Sequence, residues 1–130
     1  MNRNRFKLLS GTISLALILS ACVGPTLPVS GTPSEFDGLW TGLLESDESG
    51  CSDVTAEFEV RYGQLLGKIY QQGVSKADFW GEIGSDGKLN ANIGLLGVSA
   101  GGADITFAKG QASGPWFSEY CKGMASLNRT

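Results

Sequence analysis

Histidine is absent from the 130 residues, and that one absence removes the commonest general base, the commonest activator of a serine or cysteine nucleophile and the commonest metal ligand. Ser113, in Ala112-Ser113-Gly114, has no basic partner apparent from the sequence. The carboxylates Glu57 and Glu59 fall on the polar side of an alternating segment, where a solvated face accounts for them. No catalytic residue is assigned and no enzyme is expected. Basic residues are also scarce: Lys and Arg number 10, and Arg3, Arg5 and Lys7 are among them. With no basic cluster elsewhere, nucleic acid is excluded as a partner. Gly94 to Gly102 holds four glycines but lacks the Lys-Ser/Thr ending of a phosphate cradle, and reads as a loop. The acidic residues Glu45, Asp47, Glu48 and Asp53 surround Cys51 without the ordered spacing and glycine of a calcium loop, so neither a metal nor a cofactor is expected. Long apolar runs are missing too. Leu8 to Ala21 is short for a bilayer span, and Thr12 and Ser14 interrupt it.

What that first segment does carry is ordered. Arg3, Arg5 and Lys7 make a basic start without an acidic residue, Leu8 to Leu19 an apolar core, and Ser20-Ala21 a small-residue site directly before Cys22. Leu19-Ser20-Ala21-Cys22 resembles the lipobox of bacterial lipoproteins. The resemblance implies a signal peptide over 1–21, a diacylglyceryl group on the Cys22 thiol and an acylated (palmitate-type) new N-terminus. Val23 rather than Asp after the cysteine implies the outer membrane. Removing Arg3, Arg5 and Lys7 leaves 7 basic against 13 acidic residues, a mature net charge of −6. Attraction to anionic headgroups is then unavailable, and the membrane is reached through the lipid anchor.

If lipidation consumes Cys22, Cys51 and Cys121 remain in an oxidising compartment and are expected to form one disulfide. The competing readings are two free thiols or a metal site, and the second lacks its usual histidine partners. Residues 22–35 hold Pro25, Pro28 and Pro33 among Gly, Ser and Thr and read as a flexible tether. Residues 36–130 are enough for one small domain.

That domain reads as all-β. Val54, Ala56, Phe58, Val60 and Tyr62 alternate with Thr55, Glu57, Glu59 and Arg61, a period of two with one buried face. Similar alternation marks strands around Leu65 to Ile69, Lys88 to Ile93 and Ala103 to Ala108. Further strands are expected at Gly38 to Glu45, Ala77 to Gly84, Gln111 to Phe117 and Tyr120 to Arg129. Asp86-Gly87 supplies a hairpin turn. About eight strands without a covering helix favour a small antiparallel up-and-down β-barrel, which removes the sheet edges, with a two-sheet β-sandwich as the alternative. Gly42, Gly67, Gly81, Gly114 and Gly123 inside strands suit the bends of a narrow barrel.

Gly38-Leu39-Trp40 resembles the Gly-x-Trp opening of lipocalins and other calycins, in which a late arginine packs over the tryptophan at the closed end. The resemblance implies Trp40 and Arg129 as a barrel-closing pair. In size, disulfide and anchor the chain is similar to small barrel lipoproteins of the protease-inhibitor and lysozyme-inhibitor types. Leu66, Tyr70 and Trp80 lie on the polar sides of their strands and form a candidate patch for an envelope or secreted protein partner or a glycan; a doubly buried or bulged strand is the competing account. Two functions follow: a non-catalytic protein-binding module, or a carrier of a small apolar ligand. A structural envelope lipoprotein is a third. The interior decides between the first two, because Trp40, Phe58, Phe79, Phe107 and Trp116 leave no carrier cavity if they fill it.

Overall fold

Eight antiparallel strands close on themselves in chain order. The computed structural model describes residues 25–130, so Cys22 and the signal segment lie outside the described residues. The strands are β1 (Gly38–Ser46), β2 (Val54–Arg61), β3 (Gln64–Gln71), β4 (Val74–Glu82), β5 (Lys88–Leu95), β6 (Val98–Ala108), β7 (Gln111–Phe117) and β8 (Lys122–Arg129). Each pairs with its neighbour, and β8 returns to β1 through Trp40 opposite Arg129 and Ser46 opposite Gly123. The fold is an up-and-down β-barrel, with no sandwich and, among the described residues, no helix. Closure satisfies the edge groups that an open sheet of this length would leave in water.

The inward face alternates large and small residues. Trp40 and Leu44 flank Gly42, Phe58 follows Ala56, and Leu65 and Ile69 flank Gly67. An eight-stranded barrel has an interior just wide enough to be filled by side chains, and small residues make room for the rings. Gly67 illustrates the rule. It pairs with Phe58 on one side and Phe79 on the other, and a Cβ there would clash with the Glu57 carbonyl oxygen and the Phe58 backbone. The gap lets Phe58 and Phe79 meet edge to face at 5.5 Å.

Two segments differ from expectation. Gly94 to Gly102 is not a loop: β5 runs to Leu95, Leu96-Gly97 makes a two-residue turn, and β6 starts at Val98. Glycines misled the reading because Gly94 and Gly101 sit where the carbonyls of Val98 and Phe117 approach too closely for a side chain. Tyr62 also leaves the alternation of β2. It occupies the β2–β3 turn at φ 52° with Gly63 at 74°, the paired positive angles of a hairpin turn that follows strand twist.

The barrel has two unlike ends. The Tyr62-Gly63, Gly84–Gly87 and Lys109-Gly110 turns mark the closed end, where Phe36 plugs the interior. The β1–β2 loop and the turns at Gln72-Gly73, Leu96-Gly97 and 118–121 form the open rim, where a disulfide joins Cys51 to Cys121. Residues 25–33 have neither helix nor strand but follow the wall. Pro25 lies 3.8 Å from where a Cβ on Gly97 would stand, and Gly31 packs on the Tyr62 side chain. The segment therefore spans from open rim to closed end.

Candidate functional site

The groups that could bind a partner are on the outside, because the inward side chains among the described residues are apolar and packed on one another. Trp40, Phe58, Phe79, Phe107 and Trp116 are all buried, and among the described residues no polar or charged residue is. Trp40 meets Phe107 edge to face at 4.9 Å and lies parallel to Phe58 at 6.2 Å. Each inner indole has its N–H satisfied: Trp40 donates to the Phe36 carbonyl at 2.9 Å and Trp116 to the Glu45 carbonyl at 2.9 Å. Buried indoles need such a partner, and these two hold opposite ends of the core.

At the closed end, the Arg129 guanidinium carbon stands 5.0 Å from the Trp40 ring centroid, a cation–π distance. Arg129 Nη2 also donates to the Glu35 carbonyl at 2.6 Å. Asp37 locks the plug from the other side, accepting from the backbone N–H of Ser34 at 3.1 Å and of Gly63 at 3.0 Å. Burial pushes the Asp37 carboxyl up. The backbone N–H groups of Gly63, Ser34 and Tyr62, with the Arg129 charge, outweigh that and hold it below the ordinary carboxylate value. The indole N–H and the carboxylate are taken up within this end and close the barrel, while the exposed Arg129 also lines a shallow depression of about 340 Å³ with Glu35 and Lys109.

On the outer wall, Leu66 pairs directly with Trp80 across β3 and β4. Tyr70 is on the same face of β3, two rows away, and the Lys68–Asp78 ion pair at 2.9 Å lies between. Hydrogen bonding and the charge of Asp78 raise the Lys68 pKa, with desolvation opposing them. All three apolar residues are half-buried. The register slips between Ile69 and Tyr70, where Lys76 is the extra residue of a bulge, so Tyr70 faces Ser75. Leu66, Lys68 and Tyr70 share a shallow depression of about 500 Å³ with Leu39, Glu57 and Glu59. Trp80 stands outside its lining. Leu66 therefore touches both halves of the expected patch, while Tyr70 and Trp80 are not brought together.

A larger depression, about 770 Å³, runs along β4 to β6 and is lined by Glu82, Asp86, Lys88 and Asp104. These side chains are exposed, and Asp86 accepts from the Lys88 N–H of its own turn at 3.0 Å, so the volume does not make it the better site. The acidic group near Cys51 is used structurally. Asp53 accepts from the Ser46 N–H at 3.0 Å, and Glu48 is 3.7 Å from Lys122. Among the described residues, no cluster of metal-ligating side chains occurs.

Most of the domain's large apolar residues left in water are ones that sequence patterning passed over, and they gather on the rim, with Leu39 (60% exposed) near the closed end standing apart. On the open rim Leu95 is 60% exposed, Leu96 75%, Val98 70%, Phe117 54% and Tyr120 80%. Leu96 also has φ 52°, a conformation for which Asn and Gly are the usual residues. The available signal was an apolar residue standing before Gly97 where a hairpin turn ordinarily has Asn or Asp. Comparison with protein-family models, with curated proteins and with solved structures finds no match to this chain.

Proposed function

We propose that this chain is an outer-membrane lipoprotein, anchored through Cys22, whose barrel is a non-catalytic module that binds a protein partner through its outer wall. The observation that carries this reading is the filled interior. A carrier needs a ligand-sized cavity of roughly 300–1,000 Å³ inside the wall, whereas aromatic rings and small residues occupy that space here and the depressions open outward. A rigid closed sheet with a stapled rim also loses little conformational freedom on binding, which favours recognition by a preorganised surface. Leu66, Tyr70 and the Lys68–Asp78 pair give the wall its mixed apolar, aromatic and charged face. Interception of an envelope hydrolase is one use of such a module.

The test is capture from envelope extract with the mature chain, alongside a Leu66→Ala/Tyr70→Ala variant. A stoichiometric protein retained by the parent and lost by the variant supports the reading. A stoichiometric small apolar molecule carried by both would replace it with the carrier reading. Mass spectrometry of the mature chain tests the anchor separately, since an unmodified Cys22 or a different first residue would remove it.

A further inference from the structure

We infer that the open rim is a bilayer-contact surface, with the Leu96-Gly97 hairpin and the Phe117–Tyr120 turn seated in the headgroup region of a phospholipid membrane. The inference rests on the anchor at Cys22 proposed above and adds an orientation to it. Three adjacent tips of the rim carry exposed large apolar residues: Val74 on one, Leu95, Leu96 and Val98 on the next, Phe117 and Tyr120 on the third. A set of this kind on a small soluble domain marks an interaction surface. Leu96 is disfavoured twice where it stands, once by solvent and once by its positive φ. Asn would relieve both costs, so the leucine makes physical sense if its side chain meets an apolar phase.

The chain path selects lipid as that phase. Pro25 lies against Gly97 of the same hairpin. Three residues of chain, a reach of at most about 11 Å, separate Pro25 from the anchored cysteine in sequence. Acyl chains on Cys22 would then enter the membrane beside the apolar tips. Tyr120 and Phe117 are residue types that suit the boundary between headgroups and hydrocarbon. The fourth tip, with Asp47, Glu48 and Asp53, is acidic, and the mature charge of −6 repels anionic headgroups, so contact depends on apolar burial and suits zwitterionic lipid. The barrel therefore tilts onto these three tips, with Glu119 of the third left at the level of the headgroups, lifting the acidic loop and turning the closed end outward.

The test uses mature lipidated protein in phosphatidylcholine vesicles with brominated or unbrominated acyl chains. A tryptophan is added at the rim (Val98→Trp or, as a second reporter, Phe117→Trp) or near the closed end (Leu39→Trp). Side chains at the interface sit about 5–10 Å into the headgroup–acyl boundary, so the added rim emission should fall at least about twofold in brominated vesicles. The Leu39→Trp emission should not change. Protein that floats with vesicles while both rim reporters stay unquenched overturns the inference and leaves the anchor standing; the rim would then be free for a protein. Protein that fails to float removes the anchor and the inference together.

Discussion

The two ends of the barrel solve the same problem in opposite ways. At the closed end, the Trp40 indole donates to the Phe36 carbonyl under the Arg129 guanidinium, Asp37 accepts from Ser34 and Gly63, and Arg129 donates to the Glu35 carbonyl. At the open rim, a covalent link does the holding, and large apolar side chains are left in water. The closed end spends its buried polar groups on shutting the barrel and leaves Leu39 and the depression beside Arg129 facing water. An end stapled from behind can expose surface that its packing does not need. The contrast separates groups spent on the fold from groups left facing water.

The comparison can be broken at the closed end first. Trp40→Ala removes the central ring, its hydrogen bond to Phe36 and the platform under Arg129, and should cost about 5 kcal/mol, read as a large drop in urea midpoint. Next comes the rim. Reducing the Cys51–Cys121 link frees a loop with a sequence separation of 70 residues, for which chain-entropy reasoning gives about 4 kcal/mol. Hydrogen exchange should then rise at the rim before it rises around Trp40; the reverse order would erase the distinction between the ends.

Asp37→Asn is a smaller test with a pH signature. Its folded pKa lies below the ordinary carboxylate value, so its contribution is complete above that ordinary value and is lost as the pH falls through the folded pKa. The variant should be less stable by about 1 kcal/mol at neutral pH, given partial exposure, and match the parent in strong acid. The smallest effect is of opposite sign. Leu96→Asn should stabilise the isolated domain by about 0.5–1 kcal/mol by relieving the positive φ, while weakening membrane contact. A loss of stability would mean that Leu96 supports the fold rather than an external surface.

The fold was legible because the inward residues keep period two through most strands. Ala56, Phe58 and Val60 are buried where alternation placed them, and the eight-strand barrel follows. Gly94 to Gly102 was not legible, since glycines tolerated for close strand approach look like loop glycines in sequence. The wall patch was half legible. Alternation puts Leu66 and Trp80 outward, but only the pairing makes them neighbours, and the bulge at Ile69 and Tyr70 cannot be seen without a partner strand. The rim escaped because its apolar residues come from separate turns that only closure brings to one end.

Seven of the eight ladders join strands consecutive in the chain, and each can form as a hairpin from local contacts. The eighth, β8 on β1, joins residues from opposite ends of the domain. Such a pairing carries the largest loop-closure entropy, which makes it the natural slow step of assembly. Both ends of that ladder are fastened: Arg129 against Trp40 and the Thr130 N–H on the Leu39 carbonyl at one, Cys51 and Cys121 beyond the other. Until the seam shuts, β1 and β8 are free edges able to pair with another copy. Once it has shut, fastening at both ends keeps β1 and β8 from reopening as free edges.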